Sequence, residues 1–181
     1  MIISDPMLKF TNANKYIKTL KINNMSGFYG VVSNKDCVKE VFYGTDYHSH
    51  LGTKRAGMVF IIPEKGFRRS IHTIENSYFR TKFEDELKDF SGNSGIGIIS
   101  DTDPQPLLFN SHLGNFAIVT VSRLVNIGEL EKRILKQRKH FTENFEGHIN
   151  PTEVVANLIC EKESFVSGIE NVFENVKGSC S

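Results

Sequence analysis

The residues able to do chemistry begin with "NNMSGFYG", where Ser26 follows a methionine and precedes a glycine. A serine hydroxyl is a weak nucleophile until a base removes its proton. If Met25 were removed and Ser26 became the first residue, its own α-amino group, with a pKa of about 8, would be that base. Three readings stay open: a nucleophile at a mature terminus, an inert serine still amide-linked to a leader, or a small residue entering a strand beside Gly27. Further along, "YHSHLG" places His48 and His50 at strand spacing on one face, a metal-like geometry with no third ligand nearby. "GIGIISDTD" sets Asp101 and Asp103 after two glycines. It lacks the spacing of a phosphate-cradling loop, so a strand-to-turn role is expected. Nothing in these patterns assigns a metal or a cofactor.

Composition narrows the classes. The chain has 181 residues and a formal net charge of +1, with 39% hydrophobic and 24% charged residues, 14 Phe and no Trp. No global field draws it to nucleic acid or an anionic membrane. Its apolar runs, of about five residues, fall far short of the ~20 needed for a membrane span. Cys37, Cys160 and Cys180 show no CxxC spacing and read as reduced thiols, which places the chain in the cytoplasm. Basic segments such as "KRILKQRKH" carry Glu129 and Glu131 nearby and read as one solvated helix face. Cys37 reads as a packed thiol within a helix.

The elements that must position these residues follow from periodicity. Residues 1–24 are polar and weakly patterned, and read as an extension or leader; residues 25–181 form the domain. "FYGVVS" reads as a strand. "KDCVKEVFYGTDYHSHLG" reads as a helix broken at Gly44, and "AGMVFIIP" as a strand closed by Pro63 and paired with "KGFRRSIH". "SYFRTKFEDELKDF" spaces Phe79, Phe83 and Leu87 by four, as a helix does. "SGNSGIGIIS", "PLLFN" and "NFAIVTVS" read as strands, the last two joined by "SHLG". "NIGELEKRILKQRKHF" is an amphipathic helix with Ile127, Leu130 and Ile134 on one face. "NPTEVVANLICE" has Asn150 as N-cap, Pro151 at the first helical position and Glu153 three residues after the cap. "SFVSGIENVFENV" continues helical, and Gly178 in "KGSCS" leads into a further strand. Strands followed by helices, with a last strand just begun, predict an α+β layered domain lacking its C-terminal half.

In that order the segments resemble the glutaminase domain of class II glutamine amidotransferases of the amidophosphoribosyltransferase type. The family opens its mature chain with C-G-I-x-G, and "SGFYG" stands here at Ser26 to Gly30. Its H-R-G-x-[DE]-[SA]-A-G-[IM] is echoed by "HLGTKRAGM", and its G-I-G-H-x-R-Y…Q-P by "GIGIISDTDPQP". The strand ending in H-N-G-N-L-x-N corresponds to "VTVSRLVN", the S-D-[ST]-E helix start to "NPTEV", and x-G-x-[YF]-[SA] to "KGSCS". The likeness runs collinearly over residues 25 to 181. It implies an αββα four-layer sandwich of the N-terminal nucleophile hydrolase type, C-terminally truncated here. It also implies attack on the glutamine amide by the first residue, release of ammonia, a place in purine biosynthesis and no cofactor.

The same correspondence puts substitutions at the chemical positions. The nucleophile position is Ser26. The arginine that holds the substrate carboxylate falls at Ser100. The oxyanion-hole pair falls at Val121 and Ser122, and the aspartate that grips the substrate amine at Pro151. Losing one oxyanion donor costs about 100–1,000-fold in rate. The expectation is therefore a pseudoenzyme: a degenerate glutaminase scaffold with a structural or regulatory role. The alternative is a serine amidohydrolase of altered substrate that uses Ser26. A phosphoribosyltransferase or synthase domain is expected beyond residue 181. Open sheet edges predict a homo-oligomer, and neither nucleic acid nor membrane is an expected partner.

Overall fold

The computed structural model of the chain describes residues 26–51, 54–62, 64–101, 103–142, 144–145 and 147–181. The extension assigned to residues 1–24, and Pro63, lie outside the described residues. Strands β1 (Gly27–Val32), β2 (Arg55–Ile62), β3 (Gly66–Thr73) and β4 (Ser94–Ser100) form an antiparallel sheet in the order β1-β4-β2-β3. The predicted β2–β3 hairpin is present, with Arg55 opposite Thr73 and Ile62 opposite Gly66. Ala56 to Phe60 of central β2 are all buried, as expected of a strand covered on both faces. Edge strands β1 and β3 are far more exposed.

Helix α1 (Val38–His48) packs on this sheet through Val38, Val41, Phe42 and Thr45. It runs straight through Gly44, which was expected to break it. A Cβ at Gly44 would lie 2.2 Å from the Tyr29 ring, so the glycine is a packing residue that lets helix and strand touch. Cys37 is the N-cap of α1 rather than a helical residue, and is 1% exposed. The predicted helix around Phe79 divides into α2 (Phe79–Phe83) and a 3-10 segment (Glu84–Asp89). The turn tightens where Glu86 reaches across to His72 at 2.7 Å. Phe79 and Phe83 stack at 4.7 Å, and Phe79 meets Phe42 at 5.3 Å. With Phe60 and Met58 they make the first apolar core, each ring contributing about 1.5–3 kcal/mol on burial. Arg80, donating to Asp46 at 2.8 and 2.7 Å, ties α2 to α1, and that carboxylate raises the guanidinium's pKa.

A second core gathers Leu124, Leu130, Ile134, Val154, Val155, Leu158, Ile159 and Val172. These come from β7 (Ser122–Leu124), α3 (Ile127–Lys136), α4 (Pro151–Ile159) and α5 (Phe165–Asn175). Alongside lie the hairpin β5 (Leu107–Ser111) and β6 (Gly114–Ile118), the short pair β8 (Asn144–Phe145) and β9 (His148–Ile149), and β10 (Gly178–Cys180), which pairs with β7. The start of α4 follows the sequence: the Asn150 side chain accepts from Thr152 N–H, and Pro151 occupies the first turn. Helices α4 and α5, expected as one run, separate at residues 160–164. There Ser164 starts a new helix by accepting from Ser167 N–H. No helix among the described residues is long and apolar enough to cross a membrane.

Candidate functional site

The antiparallel register carries the end of β4 to the start of β1, pairing Gly27 with Ile99. Ser26, just ahead of β1, is half-buried, and its Oγ accepts the Asp101 N–H at 3.4 Å. Ser100 closes β4 opposite Arg55 of β2 and is 3% exposed. Val121 exchanges both backbone hydrogen bonds with Ser181, at 3.0 Å each way. Ser122 begins β7 opposite Cys180.

Behind these positions runs a buried polar chain. The Gln105 amide pairs with the Thr120 backbone, accepting its N–H at 2.7 Å and donating to its carbonyl at 3.1 Å. Thr120 Oγ1 lies 2.7 Å from Thr152 Oγ1. Thr152 N–H reaches Asn150 Oδ1 at 2.9 Å, and Asn150 Nδ2 donates to the Pro104 carbonyl at 3.2 Å. Gln105, Thr120, Asn150 and Thr152 are all buried. Their mutual bonds meet the cost of burying polar groups and hold the segments that carry Val121, Ser122 and Pro151.

A cavity of about 480 Å³ opens in front of this chain. Ser122, Pro151 and Asp101 line it, so two of the sequence-assigned positions and the residue bonded to a third share one space. Its walls also carry Lys54, Arg55 and Arg123 against Glu75, Asp101 and Asp103. Lys54 and Glu75 approach at 4.0 Å across exposed surface. Sequence reading missed this charged rim. Its members sit at strand ends, where isolated charges look like ordinary solvated termini and only the sheet register reveals that they converge.

The expected pairing of His48 and His50 on one strand face is corrected by the fold. His48 ends α1 and His50 lies in the 3-10 turn Ser49–Leu51. Residues two apart on a helical path do not face each other. His48 packs against Gly27, where a Cβ would lie 2.6 Å from His48 Nδ1, and Tyr47 meets both rings edge-on. No cluster of three metal-ligating side chains occurs among the described residues. Asp101 and Asp103 follow β4 on bent backbone, in keeping with a turn role. The face carrying "KRILKQRKH" is not wholly solvated: Arg133 turns inward to Glu161 and Asn175.

Two thiols are shifted by their surroundings. Burial, then the neighbouring Asp36 and Glu40 charges, push the Cys37 thiol up. Burial alone raises Cys180. Glu86 is pushed up by burial but more strongly lowered by hydrogen bonds from Ser70 and His72 and by the His72 and Arg68 charges, so its net pKa falls. Ser70, His72 and Glu86 do not form a catalytic triad, because the serine and the carboxylate meet the same ring nitrogen, Nε2, at 3.0 and 2.7 Å.

This mixed α+β fold matches part of the fold of solved phosphoribosylpyrophosphate amidotransferases. The glutamine phosphoribosylpyrophosphate amidotransferase from B. subtilis, solved with ADP and GMP, superposes with a TM-score of 0.71 at 24% identity, covering 86% of this chain and 34% of that one. A structure of the allosteric regulatory enzyme of purine biosynthesis gives a TM-score of 0.72, again at 24% identity and over the same shares. In sequence, the chain is distantly homologous to the amidophosphoribosyltransferase of Pasteurella multocida (strain Pm70), at 25% identity over 163 residues. That match covers 84% of this chain and 31% of the relative. The chain thus spans about a third of the length of the relatives it matches. No family model matches it.

Proposed function

We propose that this domain is a glutaminase scaffold of the αββα N-terminal nucleophile hydrolase type that no longer hydrolyses glutamine. In this reading it serves as a structural or regulatory module for a phosphoribosyltransferase or synthase domain in the cytoplasm. The observation that carries the reading is at Val121. Its N–H is bonded to the Ser181 carbonyl at 3.0 Å, and its side chain has no donor, so neither can serve a developing oxyanion. Two further features support it. Pro151 presents a ring, not a carboxylate, to the cavity, and Ser100 is a buried hydroxyl that carries no charge for a substrate carboxylate.

The test is ammonia release from glutamine by the purified chain, read through a coupled dehydrogenase. Background-level release is expected, unchanged in Ser26→Ala. Turnover abolished by Ser26→Ala would overturn the proposal. The second reading, a serine amidohydrolase of altered substrate, draws support from the Asp101 N–H held 3.4 Å from Ser26 Oγ, a backbone donor that fixes the hydroxyl's position. It requires Ser26 to be N-terminal, which mass determination of the mature chain decides.

A further inference from the structure

A second cavity, of about 450 Å³, opens between β5 and the segment that follows α3. Helix α3 ends at Lys136, so Arg138, Lys139 and His140 on this wall do not belong to its solvated face. Arg138 adopts a left-handed conformation with φ of 61°. It directly follows the C-cap Gln137 and donates its N–H to the Leu135 carbonyl at 3.0 Å, so the left-handed residue ends the helix and sets where the next two side chains start. The inward cation of α3, Arg133, is committed to Glu161 and Asn175 and contributes nothing here.

Across the cavity lie Asn110 of β5 and Asn157 of α4. Glu153 is the one carboxylate among the lining residues. It is 2% exposed, and its Oε1 accepts the Thr142 N–H at 2.7 Å and hydroxyl at 2.9 Å. The wall therefore presents a guanidinium, an ammonium, an imidazole and two amides around one held carboxylate. Planar and point-charge donors in that combination suit phosphate oxygens. Leu107, Leu108 and Phe109 make the opposite lining apolar.

We propose that this cavity binds a small phosphate-bearing anion, with Arg138 and Lys139 supplying charge and the apolar strand receiving an organic body. The volume favours a phosphate ester over free phosphate, since it lies in the ~300–1,000 Å³ range of small-molecule sites. The site is separate from the cavity holding Ser122 and Pro151, and it stands whether or not that cavity is catalytic.

The experiment is calorimetric titration of the full chain with phenyl phosphate and, separately, inorganic phosphate, with the Arg138→Gly/Lys139→Gln double variant alongside. Glycine accepts the left-handed backbone at position 138, and a melting temperature no lower than that of the wild type shows that the variant folds. Saturable binding of phenyl phosphate is expected, tighter than that of inorganic phosphate. It should weaken roughly tenfold or more in the variant and fall as salt rises from about 50 to about 200 mM. Equal affinities for the two probes, still lost in the variant, support the cation site and assign free phosphate as its ligand. No saturable binding of either probe up to about 10 mM, or binding equal in the variant, overturns the proposal.

Discussion

Replacing Gln105 with methionine tests how the walls of the first cavity are held. Gln105 is 4% exposed and Thr120 is 5% exposed, and the glutamine amide satisfies both backbone groups of Thr120, at 2.7 and 3.1 Å. Methionine keeps the length of the side chain and removes both partners. Each buried backbone group left unsatisfied costs about 1–3 kcal/mol. The more apolar side chain returns part of that, about 1 kcal/mol, so a net loss of about 3 kcal/mol is expected. In a chain of this size each kcal/mol moves the melting temperature by about 2–4 °C, which predicts a fall of about 6–12 °C in scanning calorimetry. Gln105→Glu keeps an acceptor for the Thr120 N–H but loses the donor and buries a charge, so it should be no better. A fall under about 2 °C for Gln105→Met would refute the claim that this amide holds Thr120, and with it the account of how Val121 and Ser122 are placed.

Three other outcomes are expected. A Cβ at Gly57 would lie 1.9 Å from the Gln105 carbonyl oxygen, a backbone atom with little room to move. Gly57→Ala should therefore destabilise by about 3 kcal/mol in urea unfolding, whereas Gly66→Ala meets no neighbouring atom and loses only through its φ of 80°. The Glu86 carboxyl is held below the usual carboxylate range, so its stabilising contribution is fully present above the unfolded pKa and is lost as pH falls through the lower folded value. The stability gap between wild type and Glu86→Gln should stay under about 1 kcal/mol at neutral pH, given its partial exposure, and close once the pH has fallen through the lowered folded pKa. A gap that widens on acidification would contradict this sign. Burial and raised pKa should make Cys37 the slowest of the three cysteines to react with a thiol reagent in the native state, and equal to the others in urea.

Strand positions were legible where runs were apolar and bounded by turns. β1, β2, β3 and β4 fall where "FYGVVS", "AGMVFIIP", "KGFRRSIH" and "SGNSGIGIIS" place them. The Asn150–Pro151 start of α4 was equally clear, because a cap is a local signal. Gly44 misled because intrinsic propensity says nothing of the Tyr29 ring that occupies the space where a side chain would go. His48 and His50 misled because two-residue spacing means one face only on a strand. The distant family likeness of the chain was visible in its motif order and agrees with both the sequence relative and the superposed folds. The charged rim of the first cavity and the cluster around Arg138 were not visible, since both depend on which strand ends and loops meet in space.

The buried chain from Gln105 through Thr120 and Thr152 to Asn150 lies between two oily nuclei, one built on Phe42 and Phe60, the other on Leu130 and Leu158. Apolar contacts tolerate sliding, but hydrogen bonds are directional and tolerate little. A change at any one of these four side chains is therefore felt by the other three, and through them by the segments they join. The two cavities share α4 as a wall, through Pro151 and Asn157, so a shift of that helix start would alter the shape of both.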